Sequence, residues 1–185
     1  MSQMKEYCQQ TVYPELMKEL GLKNVFQVPT LKKIVINVGI GTYVSHVNKD
    51  FSLIEKTLMD VTGQKPVLKR SKIAVSNFNK LRKGEPNGLT VTLRDDRMYQ
   101  FLEKLIHLTL PRVRDFRGVS AKSFDGHGNY NLGLRDHTVF QEVHVDDAIK
   151  PHGMQITIVT SAQQDDHARL LLSKLQFPFA KKNIK

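Results

Sequence analysis

Apolar residues recur along the chain in two rhythms, one typical of helices and one typical of strands. Spacing of three and four residues predicts four helices. Three cover residues 4–20, 47–62 and 163–174, and another begins after Asp95 or Asp96, has a buried stripe from Met98 to Thr109 and ends at Pro111. Runs of β-branched residues and period-two alternation predict four strands, over residues 31–38, 89–94, 131–135 and 154–160. Two short apolar fragments, at 67–68 and 73–75, are further strand candidates. Strands and helices do not alternate strictly, which favours an α+β fold with a largely antiparallel sheet and helices packed on one face.

Glycine, proline and short polar residues mark the expected ends of these helices. Gly21 and Gly63 follow the first two helices, where a glycine readily ends a helix in a left-handed conformation. Pro14 limits the first helix to a kinked or short one, because a proline inside a helix lacks the N–H group and clashes with the preceding turn. The expected capping residues are Asp95 or Asp96 for the third helix, and Ser161 with Gln164, as a capping box, for the last.

The chain is basic, and its excess charge is concentrated in one region. Its 28 Lys and Arg residues and 18 Asp and Glu residues give a formal net charge of +10. Residues 65–87 contribute +6 and residues 112–122 contribute +3, with a neutral stretch between them. A solvated basic surface is the alternative interpretation, but a mixed surface would serve solubility equally well. The clustering indicates an anionic partner, above all a nucleic acid.

No set of residues has the spacing of an active site. Gly39 and Gly41 follow a strand, but Val44 stands where a dinucleotide fingerprint needs its third glycine. The seven histidines are scattered and Cys8 is the single cysteine, so we expect no metal, no cofactor and no disulfide. No apolar run reaches the roughly 20 residues of a membrane span, and the first residues do not resemble a signal peptide. We therefore expect a cytoplasmic protein without a membrane partner.

The 185 residues suit a single ribonucleic-acid-binding domain over 1–185, from which a basic loop over residues 69–88 projects. Lysine and arginine contact phosphates, whereas amides contact sugar hydroxyls and base edges. Phe78 would either stack on a base or anchor the loop on its own domain. The loop residues expected to face RNA are Arg70, Lys72, Asn77, Phe78, Asn79, Lys80, Arg82 and Lys83, and a second basic patch comprises Arg112, Arg114, Arg117 and Lys122.

Asn37 interrupts an apolar strand that should be buried on at least one face. A buried amide costs free energy unless it is hydrogen-bonded. It would therefore either bond to a neighbouring backbone group or face RNA on the open side of the sheet. Thr90, Thr92 and Arg94 have the same parity on another strand, so their side chains share a face.

Several ordered blocks of sequence resemble one family, the large-subunit ribosomal proteins of the L-five type, which bind 5S ribosomal RNA. The resemblance spans nearly the whole chain. The blocks are VPTLKKIVINVGIG at 28–41, TGQKP at 62–66, VTLR at 91–94, RM at 97–98, LPRVRDFRG at 110–118, KSFDGHGNYNLG at 122–133, GM at 153–154 and FPF at 177–179.

The resemblance implies a structural, non-enzymatic constituent of the large ribosomal subunit. It implies binding of 5S ribosomal RNA in the central protuberance by Asn37, Gln64, Thr92 and Arg94, with Lys32 and Lys65 as further contacts. The basic loop corresponds to the element that reaches the transfer RNA in the peptidyl site. The patch Arg112–Lys122 corresponds to the contact with 23S ribosomal RNA and a protein of the small-subunit head, and other 5S-associated ribosomal proteins are expected neighbours. A nucleic-acid-processing enzyme and a peripheral membrane protein are the weaker alternatives.

Overall fold

The structure, a computed structural model, describes residues 3–41, 51–74, 82–143 and 152–180. Its helices are α1 (Gln3–Tyr7), α2 (Tyr13–Glu19), α3 (Ser52–Thr62), α4 (Asp95–Lys104) and α5 (Asp165–Lys174). Its strands are β1 (Leu31–Gly39), β2 (Val67–Arg70), β3 (Pro86–Leu93), β4 (Tyr130–Leu134) and β5 (Met154–Thr160). Short 3-10 turns cover Val25–Gln27, Leu110–Arg112 and His137–Val139, and π-helical turns cover Cys8–Val12 and Leu105–Thr109.

The five strands form one antiparallel sheet in the order β2-β3-β1-β5-β4, with helices packed on it. One face is buried, because alternate side chains such as Ile34, Ile36 and Val38 of β1 are fully shielded from solvent. The intervening side chains of β1, β3, β4 and β5 are half-buried or exposed. The predicted α+β class is confirmed. An antiparallel sheet with one packed face leaves its other face for a ligand.

By its internal contacts the chain forms two compact units. The first comprises Met1–Ile34, Leu93–Leu132 and Thr157–Lys185, and α1 packs on α4 within it. The second comprises Val35–Thr92 and Gly133–Ile156 and contains α3, whose Leu58 and Val61 are buried. The assignment of one domain to residues 1–185 stays a prediction.

Two helices pass through a π-helical turn two residues before a proline. The Tyr13 N–H group donates to the Cys8 carbonyl before Pro14, and the Leu110 N–H group donates to the Leu105 carbonyl before Pro111. A proline has no N–H group and its ring clashes with the carbonyl of the preceding turn, so a locally wider helix accommodates it. The interruption expected at Pro14 is thus a π-helical turn, and helical structure continues to Glu19.

The predicted cap of the helix that the structure shows as α4 was wrong. Arg94 is the residue that precedes α4, and no side chain caps the helix there. Asp95 lies in the first turn with a φ of +50°. The Asp96 carboxylate instead accepts a hydrogen bond of 2.7 Å from Lys5 Nζ, which holds the pKa of Asp96 below its usual range. The Asp96 carboxylate, which the sequence predicted at the helix end, thus pairs with Lys5, a residue distant in sequence.

The predicted capping box of the last helix was also wrong. Gln164 precedes α5 without a side-chain cap. Ser161 Oγ accepts the Thr30 N–H group at 2.8 Å and so ties β5 to the residue before β1. In the first turn of α5, the Asp165 carboxylate accepts the N–H groups of Gly126 and Gly128 at 3.1 and 2.9 Å.

Other boundaries differ by a few residues from the predicted ones. Gly21 and Gly63 have φ values of +61° and +65°, as the prediction of left-handed helix ends required. The predicted helix 47–62 is observed as α3, and residues 42–50 lie outside the described part of the chain. The fragment 67–68 belongs to β2, whereas residues 73 and 74 are not in a strand.

Candidate nucleic-acid interface

The exposed face of β1 and β3 carries a side-chain pair formed by Asn37 and Thr90. Thr90 Oγ1 donates to Asn37 Oδ1 at 3.0 Å, so the Asn37 side chain bonds to a side chain rather than to the backbone. Because Oδ1 accepts this bond, the amide orientation is set and its NH₂ group is the donor toward any partner. A Cβ on Gly88 of β3 would lie 3.2 Å from the Val38 carbonyl, so the neighbouring strand β1 leaves little space for a side chain there.

A second amide, Gln64, is held just beyond the end of α3. Gln64 Nε2 donates to the Thr92 carbonyl at 3.3 Å, and the Gln64 N–H group donates to Thr62 Oγ1 at 3.3 Å. The Thr62 hydroxyl lies 2.6 Å from the Leu58 carbonyl, which fixes it on the last turn of the helix. Since the Gln64 nitrogen is the donor to β3, its Oε1 is the acceptor toward a partner. Asn37 and Gln64 therefore offer opposite hydrogen-bonding groups within one compact unit.

The charged residues predicted to bind RNA with these amides do not all belong to the same compact unit. Arg94 is exposed and extended, with φ −136° and ψ 165°, and belongs to the other compact unit, as does Lys32. Lys32 is exposed although alternation along β1 gives it the parity of the buried Ile34. Lys65 Nζ lies 3.8 Å from Glu55 Oε1, but 79% of the Lys65 side chain is exposed, so this ion pair is weak.

The basic loop connects β2 to β3, which pair as an antiparallel hairpin. Lys69 and Arg70 belong to β2, and Arg70 pairs with Pro86 of β3 in antiparallel register. Arg70 Nη1 donates to the Gly84 carbonyl at 3.1 Å, and the Arg82 N–H group donates to Glu85 Oε2 at 2.9 Å. The connection is therefore shorter than the predicted 69–88 and covers residues 71–85. Lys72, Arg82 and Lys83 are exposed; Asn77, Phe78, Asn79 and Lys80 lie outside the described residues.

The second basic patch begins at the end of the helical turns that follow α4, and hydrogen bonds to the C-terminal segment fix it in place. Arg112, Arg114, Arg117 and Lys122 are all exposed. The Val119 N–H group donates to the Pro178 carbonyl at 2.8 Å, and the Ala180 N–H group donates back to the Val119 carbonyl at 2.9 Å.

Residues 177–179 have a structural role that the sequence did not reveal. Phe177, Phe179 and Phe124 surround Tyr130, with ring centroids 4.9 to 5.7 Å from the tyrosine ring. The Tyr130 hydroxyl donates to the Ser120 carbonyl at 2.7 Å, and burial raises the pKa of Tyr130 to about 12. This aromatic cluster holds the end of the described chain against the segment that carries the arginines.

Within the described ranges, no group of three or more His, Cys, Asp or Glu residues is arranged to hold a metal ion. In the same part of the chain, no helix has both the length and the apolar character to cross a membrane.

Two family models match consecutive parts of the chain: that of ribosomal protein L5 at residues 24–82, and that of the C-terminus of the same ribosomal protein family at residues 86–179. The large ribosomal subunit protein uL5 of Caldanaerobacter subterraneus is 50% identical, over 98% of this chain and all of that protein. The proteins of the same name from Thermus thermophilus and Halothermothrix orenii are 49% and 48% identical, over 96% and 97% of this chain and 97% and 99% of their own lengths.

The chain belongs to the ribosomal protein L5 family. It is a structural constituent of the large ribosomal subunit and binds ribosomal RNA. It is not an enzyme, so the alternative of a nucleic-acid-processing enzyme was wrong. Membership also accounts for the concentration of positive charge, since ribosomal RNA is the anionic partner that the charge indicated.

Of the predicted interface residues, the structure brings Asn37, Gln64 and Thr92 into one unit and joins Gln64 to Thr92 directly. Thr90, the partner of Asn37, was predicted to share a face with Thr92 and Arg94 but was not among the predicted contact residues. Its signal was the alternation of Thr90 and Thr92 with buried residues along β3.

Proposed function

We propose that the chain binds 5S ribosomal RNA in the central protuberance of the large subunit, through the amides of Asn37 and Gln64. The observation that carries the proposal is that each amide is oriented by β3: one by the Thr90 hydroxyl and the other by the Thr92 carbonyl. The two amides occupy positions that the sequence resemblance assigns to RNA.

Oriented amides suit specific recognition, because less side-chain entropy is lost when a partner binds. One donor and one acceptor select particular groups on bases or sugars, whereas a lysine meets any phosphate. Lys65, in the same compact unit as the amides, would supply a phosphate contact beside them, and Arg94 and Lys32 would supply further phosphate contacts with the same RNA. Neutral amides thus give specificity, and cations give sequence-independent affinity.

Two other surfaces complete the proposal. The hairpin connection, with Arg70, Lys72, Asn77, Phe78, Asn79, Lys80, Arg82 and Lys83, would face the transfer RNA in the peptidyl site. The patch of Arg112, Arg114, Arg117 and Lys122 would contact 23S ribosomal RNA and a protein of the small-subunit head. Both surfaces are exposed where they are described, and both are strongly basic. The proposed location is the ribosome in the cytoplasm, beside other 5S-associated ribosomal proteins.

The test is a mobility-shift titration of the full chain against 5S ribosomal RNA, with transfer RNA as competitor. Asn37→Ala should weaken binding about five- to 150-fold. It would leave the RNA group that the amide contacts unsatisfied inside the interface, at a cost of about 1–3 kcal/mol. Asn131→Ala is the matched control, because Asn131 Oδ1 accepts a hydrogen bond from Thr157 Oγ1 at 2.7 Å in a similar strand setting. Equal losses from the two variants, or an unmodified chain that binds transfer RNA as tightly as 5S ribosomal RNA, would refute the proposal.

A further inference from the structure

The 3-10 turn Val25–Gln27 presents an aromatic ring to solvent. The Phe26 side chain is 95% exposed, more than any other large hydrophobic side chain in the described part of the chain. All residues from Lys23 to Gln27 are exposed, whereas Val28 directly after them is buried. A phenylalanine stabilises a fold through the area that it removes from water, so this ring contributes little to folding.

The backbone that carries the ring is held by its own hydrogen bonds. The Phe26 N–H group donates to Asn24 Oδ1 at 3.0 Å, and the Gln27 N–H group donates to the Asn24 carbonyl at 3.1 Å. The Val28 N–H group donates to the Val25 carbonyl at 3.2 Å. A ring fixed in this way loses less conformational freedom when it contacts a partner.

The surrounding charge favours RNA as the partner. Residues 20–41 contain Lys23, Lys32 and Lys33 and no acidic residue. A single exposed apolar side chain is common on protein surfaces and indicates nothing by itself. An aromatic ring among lysines, however, is the composition of sites for unpaired RNA, where bases stack on rings and phosphates meet cations. Protein–protein interfaces, in contrast, are depleted in lysine.

We infer that Phe26 stacks on an unpaired base of ribosomal RNA, with Lys23 meeting a neighbouring phosphate. The inference rests on the ribosomal RNA binding of the family and not on 5S ribosomal RNA being the partner of Asn37. Phe26 and Lys23 belong to one compact unit, and Asn37 belongs to the other. The contact is therefore a second one, independent of the oriented amides.

The chain contains no tryptophan, so Phe26→Trp introduces a single fluorescent reporter. The full-length variant is titrated separately with 5S and with 23S ribosomal RNA, because stacking on a base quenches indole fluorescence. We expect quenching by at least one of the two RNAs. Phe26→Ala should lower affinity for that RNA about five- to 150-fold, the range for loss of one stacked base, while Phe26→Tyr should retain it. The matched control is Leu53→Trp, at a position 51% exposed on α3, which should stay unquenched.

The inference is overturned if Phe26→Trp is unquenched by both RNAs and Phe26→Ala binds both as tightly as the unmodified chain. It is also overturned if Phe26→Ala keeps its RNA affinity but loses contact with a neighbouring protein in reconstituted subunits. An unmodified chain that does not bind 5S ribosomal RNA, together with quenching of Phe26→Trp by 23S ribosomal RNA, would refute the proposed 5S function and leave this inference standing. Because Phe26 is exposed, all its variants should keep the unmodified circular-dichroism spectrum and melting temperature.

Discussion

Asn37 lies in a strand of apolar residues, but its side chain is on the exposed face of the sheet, where burial does not require its amide to have a partner. The Thr90 hydroxyl nevertheless donates a hydrogen bond to it there. In the sequence, Asn37 is an exception to the apolar pattern of its strand. The parity of Thr90 predicted that its side chain shares a face with Thr92. The hydrogen bond itself depends on which strands are neighbours, and β1 and β3 are separated by about fifty residues of chain, so local pattern could not predict it.

If Thr90 orients Asn37 for RNA, removing only the hydroxyl should weaken recognition. Thr90→Val should reduce affinity for 5S ribosomal RNA by less than Asn37→Ala does, because the amide is still present but is no longer held. In the Asn37→Ala background, Thr90→Val should have little further effect, since residues that act through one contact are not additive. Binding titrations of the four proteins measure this coupling. Additive losses would show that Thr90 acts on the RNA by itself, and Thr157→Val serves as the control.

Cys8 is completely buried in the first π-helical turn, and burial raises the pKa of its thiol to about 11. Only the thiolate attacks disulfide reagents, so the folded chain should be unreactive at pH 8. We expect Cys8 to react with a chromogenic disulfide reagent only as the chain unfolds in urea. Fast reaction in the native buffer would show that the first helix does not cover this side chain.

At the scale of elements, apolar periodicity identified the helices and the four longer strands because it reflects which face of each element is buried. Local pattern could not predict the contacts that polar side chains make with residues distant in sequence. Asp96 was expected at a helix end but pairs with Lys5, and Ser161 was expected to cap α5 but binds the backbone of Thr30. The π-helical turn before Pro14 was visible in the sequence only as an interruption. The sequence also did not indicate that the last phenylalanines fix the arginine-bearing segment.

Gly118 allows the C-terminal segment to pair beside that arginine-bearing segment. Its φ is +96°, and a Cβ there would lie 2.6 Å from the Ala180 backbone nitrogen. Gly118→Ala should therefore destabilise the fold by about 2 kcal/mol or more, measured by urea unfolding, since left-handed backbone strain and a backbone clash both oppose it. Gly126→Ala separates the two effects, because Gly126 has a φ of +85° with nothing within 4 Å of its Cβ position. It should lose only the strain component, about 1–2 kcal/mol. Equal losses would mean that the close approach to Ala180 does not restrict this position.

At the scale of the whole molecule, charge and hydrogen-bonding groups are distributed differently. The excess positive charge lies in residues 65–87 and 112–122, whereas Asn37, Gln64 and Thr92 are uncharged. Charge alone predicted an anionic partner and could not identify it, because phosphates are the same in every RNA. The family then supplied ribosomal RNA as the partner. The two oriented amides supply the physical argument for a specific site.

The salt dependence of 5S ribosomal RNA binding tests this division most directly. If about six phosphates are neutralised, the logarithm of affinity should fall against the logarithm of salt concentration with a slope of about −4 to −5. Lys65→Ala should make the slope less negative by about 0.7–0.9, the share of one phosphate contact. Asn37→Ala should lower affinity at every salt concentration and leave the slope unchanged. A slope that changes with Asn37→Ala as much as with Lys65→Ala, or a flat salt response of the unmodified chain, would contradict the account.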